Sequence, residues 1–212
     1  MAVNTAFDPV CTRCPRLATH LKQVRRDYPD YFARPVPAFG VADPGLLIVG
    51  LAPGMHGANA TGRPFTGDYA GILLYETLHK FGFSTAPQSV ARDDGLQLRN
   101  CRITNAVKCL PPENKPTTQE VNTCNDFLRN ELAGLPDDIV IIALGTIAHK
   151  AVLRALDLKQ SAHKFAHGAK HRLAGGQRLI DSYHCSRYNT QTKRLTPAMF
   201  HKVFKDAKKM LA

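Results

Sequence analysis

Two groups of residues in this chain carry chemistry that a fold would have to assemble. One is a glycine-rich loop, GLAPGMHGANATGRPFTGD from Gly50 to Asp68, directly behind the apolar run LLIVG. Glycine at this density lets backbone approach a ligand closely at a strand end. The other group is the cysteines. Cys11 and Cys14 form C-x2-C, the bite at which two thiolates hold one metal centre, and fourteen residues separate Cys109 from Cys124. Cys101 and Cys185 stand apart from both pairs. The glycine loop does not fit a nucleoside triphosphate. Gly57 and Gly62 have phosphate-loop spacing, but Arg63 and Pro64 stand where a lysine and a hydroxyl side chain are needed. That exchange removes the Mg²⁺ ligand and one amide donor.

The elements that must position these residues can be read from periodicity. Leu17, Leu21 and Val24 at helical spacing predict an N-terminal helix after the C-x2-C. PGLLIVG reads as a buried strand and AGILLYETLHKFGF as a helix closing near Gly82. CRITNAVKC is a second strand leading into LPPENKP, and Thr117 with Glu120 forms a capping box that opens the next helix. DIVIIALG, the helix TIAHKAVLRAL and the strand QRLIDSYH, ending at His184, follow. Thr196 and Pro197 start a last helix with Lys202, Lys205, Lys208 and Lys209 on a basic face.

Alternating helices and wholly apolar strands predict an α/β fold. The expected form is a three-layer α/β/α domain over residues 1–212 with a central four-stranded, mostly parallel sheet. Ligands of such sheets lie beyond the carboxyl ends of the strands. The Gly50 loop, Asn105 and His184 are therefore expected to meet on one edge.

Charge narrows the partner. Lys and Arg number 28 against 17 Asp and Glu, a formal net charge of +11, which favours polyanions and nucleic acid above all. Trp is absent, so any base stacking falls to Phe or Tyr. Hydrophobic residues at 44% and charged residues at 21% are ordinary for a globular chain. No apolar run approaches the roughly 20 residues of a membrane span. The N-terminus MAVNTAFDPVC lacks the pattern of a secretory leader, so a soluble cytoplasmic protein is expected.

The loop from Gly50 to Asp68 resembles the first motif of the iron–sulfur uracil-DNA glycosylases, specifically the family-5 or type-b branch. That motif runs G-L-A-P-[GA]-x-H-G-x-N-x-T-G-R-x-F-T-G-D. The similarity extends to TNAVKCLPPENKPT, to HCSRYNTQTKRLTPAMF and to the early C-x2-C, and so covers nearly the whole chain in order.

The resemblance implies a monofunctional DNA-repair glycosylase that hydrolyses the N-glycosidic bond of uracil and leaves an abasic site. Hypoxanthine, xanthine, hydroxymethyluracil and ethenocytosine are further expected substrates. Such an enzyme extrudes the damaged nucleotide into a pocket. Phe65 then resembles the stacking platform, and Asn105 the amide that accepts from uracil N3–H and donates to O4. His184 matches the histidine that donates to O2 as the base departs. Gly50, Ala52 and Gly54 belong to the base-enclosing loop. Ser186, Arg187 and Tyr188 resemble the loop that wedges into DNA.

Leu51, Ala52 and Pro53 carry no group that could position water, so Asn59 is expected to do so, with Asp68 and His56 behind it. Ala60 stands where an arginine is common. The family also implies a [4Fe–4S] cluster on Cys11, Cys14, Cys109 and Cys124, although spacing alone suits zinc equally. A monomer acting on damaged DNA at the nucleoid is the expected state.

Two other readings remain open to the sequence. A silent iron–sulfur or zinc nucleic-acid-binding module has no use for the set of Phe65, Asn105 and His184. A relative that traps the abasic sugar through its histidine carries an insertion before GRPF that is not seen here. The segment from His163 to Leu173 reads equally as a DNA-lining stretch or a solvated loop.

Overall fold

VIIAL, Val140 to Leu144, is buried at every position, so it forms the centre of the sheet rather than a face turned to water. The computed structural model describes residues 7–211. Part of the N-terminal stretch read above for a leader, residues 1–6, lies outside them. The strands are β1 (Phe39–Gly40), β2 (Leu46–Gly50), β3 (Cys101–Asn105), β4 (Val140–Leu144), β5 (Lys170–Arg172) and β6 (Arg178–Ser182), in the order β1-β3-β2-β4-β6-β5.

β3, β2, β4 and β6 are parallel, as expected. The sheet has six strands rather than four, because β1 and β5 add short antiparallel edges. Neither gave a periodic signal. β1 is two residues long, and β5, KHR, is polar and only partly buried. β3 stops at Asn105 instead of running to Cys109, and β6 stops at Ser182, two residues before His184.

Alternate residues of the central strands feed two cores. Leu46, Ile48, Val140, Ile142 and Ile180 face the layer of α3 (Tyr69–Lys80) and α7 (Pro197–Met210). Leu47, Val49, Ile141, Ala143 and Leu179 face α4 (Thr118–Ala133) and α5 (Thr146–Ala155). This is the three-layer α/β/α arrangement. The capping box of α4 is present, with Thr117 accepting from the Glu120 amide and Glu120 accepting from the Thr117 amide.

Helix α1 (Pro15–Asp27) buries Leu17, Leu21 and Val24 in a third cluster that also holds Cys109, Cys124 and Phe127. Arg16 fastens it by donating to both Glu120 carboxylate oxygens, at 2.8 and 2.7 Å. The remaining helices, α2 (Ala58–Thr61) and α6 (Arg187–Gln191), are short and lie at the carboxyl ends of the strands.

Candidate active site

Gly50 and Asn105 end neighbouring strands and are paired in register. A Cβ on Gly50 would collide with Asn105 Oδ1 and lie 2.7 Å from the Phe65 ring, so only glycine lets these two side chains converge over the strand ends. A cavity of about 430 Å³ opens there. Ala52 and Gly54 line it from the glycine loop, together with Phe65 and Asp68. Asn105 lines it from β3, and His184, Ser186 and Arg187 from the segment after β6.

Phe65 is held from several sides. Its backbone sits at φ 54°, a left-handed conformation that costs a non-glycine residue about 1 kcal/mol or more. The flanking residues stabilise it. Tyr75 Oη donates to Pro64 O at 2.9 Å, and Thr66 Oγ1 lies 2.7 Å from Ser89 Oγ. Arg63 is buried, pairs with Asp94 at 2.6 Å and lies over the Phe39 ring at 4.4 Å. It therefore holds the loop in place from behind, away from the cavity.

Asn105 is 3% exposed, and its Oδ1 has no hydrogen-bond partner among the described residues. Leaving a buried acceptor unpaired costs about 1–3 kcal/mol, so the side chain is poised for a donor from a ligand. The His184 ring stacks on Phe65 with centroids 5.8 Å apart and planes inclined by 29°. Desolvation lowers its pKa to about 4, so the imidazole is neutral near pH 7. The His184 carbonyl accepts from Asn189 Nδ2 at 2.8 Å, which ties its backbone to α6.

Asp68 is the carboxylate at this cavity. It caps α3 by accepting from the Gly71 amide at 2.8 Å, and burial raises its pKa. A Cβ on Gly57 would come within 2.5 Å of Asp68 Oδ2, so the loop glycine makes room for it. Periodicity gave no reason to rank Asp68 above its neighbours; its N-cap position only becomes clear once α3 is seen to start at Tyr69. Tyr69 and Asn114 also line the cavity, and no sequence pattern marks either of them.

Other expected residues sit elsewhere. Asn59 is fully buried in α2, its Nδ2 donating to Met55 O at 3.3 Å and its Oδ1 without a hydrogen-bond partner among the described residues; its neighbour Ala58 lines the cavity. His56 is exposed and turned toward Tyr31, with Nδ1 2.8 Å from the tyrosine hydroxyl. Tyr188 is 69% exposed and off the cavity, while the Arg187 guanidinium lies 5.9 Å from the Tyr69 ring centroid. Cys101 and Cys185 are core residues, fully buried with thiol pKa values pushed up by desolvation.

Cys11, Cys14, Cys109 and Cys124 do come together, lining a small apolar cavity of about 20 Å³ between α1, the segment after β3 and α4. Burial and then the neighbouring Cys124 push the Cys14 thiol up to about 11. Burial, then Cys124, Cys11 and Cys14, raise Cys109. The Lys108 amide donates to Cys124 Sγ at 3.3 Å. Four cysteine sulfurs lining one small cavity are a donor set that suits a thiolate-held metal centre.

A three-layer α/β fold, with a flat aromatic platform, a buried amide and a neutral imidazole at the carboxyl edge of its sheet, defines a protein built to hold a planar, hydrogen-bonding ring. Residues 37–208 match the uracil DNA glycosylase superfamily. The chain belongs to that superfamily, on the type-5 branch that its motifs resemble. It is 48% identical over 205 residues to a type-5 uracil-DNA glycosylase of Thermus thermophilus, covering 94% of this chain and 93% of that protein. With the type-5 enzyme of Mycobacterium leprae the identity is 45% over 209 residues, 95% and 91% of the two chains. A type-4 uracil-DNA glycosylase of Pyrobaculum aerophilum is 37% identical over 147 residues, 69% of this chain and 61% of that protein.

Proposed function

We propose that this chain is a uracil-DNA glycosylase that flips uracil out of DNA and hydrolyses its N-glycosidic bond, with Phe65, Asn105, His184 and Asp68 as its working side chains. The observation that carries the reading is the convergence of Phe65, Asn105 and His184 on one cavity. Uracil lies on Phe65, and the unpaired Asn105 Oδ1 receives N3–H while Nδ2 donates to O4. As the C1′–N1 bond breaks, electrons move onto the base, and the neutral His184 ring donates to O2 and stabilises that charge.

Water adds to C1′ and gives up a proton to Asp68, whose raised pKa suits it to receive one. This assigns to Asp68 the role expected of Asn59. Ser186 and Arg187, at the cavity rim, contact the DNA backbone or fill the vacated stack. Hypoxanthine and xanthine, which offer an amide the same pair of a ring N–H and a neighbouring carbonyl that uracil does, are proposed as further substrates.

Cys11, Cys14, Cys109 and Cys124 would hold a [4Fe–4S] cluster, which would cross-link α1 to the core and shape the DNA-facing side. The whole chain is read as a single domain acting as a monomer on chromosomal DNA. Among the described residues no helix is long and apolar enough to cross a membrane.

The test is single-turnover release of uracil, hypoxanthine and xanthine from duplex oligonucleotides by the wild-type protein and by Asp68→Asn and Asn59→Ala. Release of uracil, with loss of rate in Asp68→Asn but not in Asn59→Ala, supports the reading. Binding of DNA without release of any base by wild-type protein overturns it in favour of a silent binding module.

A further inference from the structure

At the sheet edge away from the cysteines, three side chains from three elements meet, His149 and Asp181 buried and His171 half-buried. His149 on α5 places Nδ1 2.7 Å from Asp181 Oδ1, and His171 on β5 places Nε2 3.0 Å from Asp181 Oδ2. The three ligand atoms lie within 4.8 Å of one another. We propose that His149, His171 and Asp181 form a second metal site, for one zinc-class divalent ion, that clamps β5 and β6 to α5 behind His184.

The contacts of His149 carry the proposal. Its Nε2 faces the His163 carbonyl at 2.8 Å while its Nδ1 faces a carboxylate, so both ring nitrogens meet acceptors. A neutral imidazole has one N–H. With that hydrogen on Nε2, the Nδ1 lone pair points at a carboxylate oxygen, an arrangement that needs a cation in the gap: a second proton or a metal ion. A histidine N–H anchored on a backbone carbonyl, with the other nitrogen turned to a ligand site, is the support that metal-binding imidazoles have.

The rings fit as well. The centroids of His149 and His171 are 5.5 Å apart with planes inclined by 60°. Two imidazoles on one tetrahedral ion, each with a metal–nitrogen bond of about 2.0–2.1 Å, lie about 5 Å apart. His149 is 2% exposed and Asp181 fully buried, whereas the His171 side chain, at 12%, leaves a way in. Such an ion wants nitrogen and oxygen about 3.3 Å apart. Binding therefore releases the second proton of His149 to solvent, shifts the single hydrogen of a neutral His171 to its Nδ1, and widens each contact by a few tenths of an ångström.

The position gives the site a role. Asp181 lies three residues before His184 on the same segment. Gly145, at the start of α5, donates to Ser182 O at 2.8 Å and accepts from the His149 amide at 3.1 Å. A clamp here holds the two elements that place His184. The proposal stands independently of the glycosylase reading.

The experiment titrates purified holoenzyme with Zn²⁺, and in parallel with Co²⁺, by calorimetry in buffers of different ionisation enthalpy, beside His171→Ala and His171→Gln. Expected are one equivalent of zinc, proton release and a higher melting temperature in wild-type protein. Both variants lose these while keeping a cooperative unfolding transition. The cobalt adduct should show visible bands without thiolate charge transfer. Absence of zinc binding by wild-type protein would leave a proton in the gap and overturn the proposal. So would zinc binding unchanged in either folded variant, or a cobalt spectrum of thiolate type that persists in both.

Discussion

Phe65 and His184 stand with ring centroids 5.8 Å apart, inclined by 29°. Bases stack at about 3.4 Å, so a base between two rings would need about 6.8 Å. The proposed uracil therefore lies against the free part of the Phe65 face with the imidazole beside it. That arrangement gives the two residues separable effects. His184→Ala should lower single-turnover uracil release by about 10²–10³-fold at unchanged DNA affinity, as loss of one charge-stabilising donor does elsewhere. Equal loss of binding and rate would place His184 in DNA contact instead.

The low His184 pKa has a sign that can be checked. Its folded value of about 4 lies below the ordinary histidine value near 6.5, so the unfolded chain binds the proton more readily. The stability linked to this group is full above pH ~6.5 and is lost as pH falls toward 4. Thermal melts across that window should show a downward slope that His184→Phe makes shallower. A slope identical in the variant would mean that other groups set the acid response.

Asn105 sets function against stability. Its buried Oδ1 meets no donor among the described residues. Asn105→Ala should leave unfolding free energy unchanged or raise it by about 1 kcal/mol, while uracil release falls by orders of magnitude. Chemical denaturation beside single-turnover kinetics measures both. A variant that loses stability and activity together would mark Asn105 as a structural residue.

The sheet centre and the meeting of the Gly50 loop, Asn105 and His184 at the strand ends are legible in the sequence because their signals are local. β4 is buried at every position, the Thr117–Glu120 box caps its helix, Gly50 and Asn105 close their strands, and His184 follows two residues after β6. What was missed depends on the third dimension. β1 and β5 are defined by pairing with longer neighbours, and two or three residues carry no period of their own. Asn59 and Asp68 are both polar residues of one loop. Only the chain path, folding Asn59 inward under Met55 and setting Asp68 at the start of α3, decides which faces the cavity.

Gly50 tests the close approach at the strand ends. A Cβ there would meet both Asn105 Oδ1 and the Phe65 ring. Relief requires both working side chains to move, and overpacking of this kind costs about 1–3 kcal/mol. Gly50→Ala should fold with a lowered melting temperature and lose most uracil release, with little effect on affinity for undamaged duplex. Wild-type kinetics in this variant would show that the loop adjusts without disturbing the base site.

The cysteines separate by role. Cys109 lines the cavity between α1 and α4, whereas Cys101 is wholly enclosed in the core against the α3 and α7 layer. Cys109→Ser removes one of the four proposed thiolate ligands. Purified protein should then lose the visible absorbance of an iron–sulfur centre and melt at lower temperature, though the Arg16–Glu120 pair still holds α1 to α4. Cys101→Ser should keep that absorbance in full. Its cost is the burial of a hydroxyl in apolar surroundings, about 1–3 kcal/mol where no partner is found. Iron content per chain, measured beside the melting temperature, distinguishes the two. If Cys109→Ser retains its full iron content, the centre is not held by Cys109, and the proposed ligand set fails.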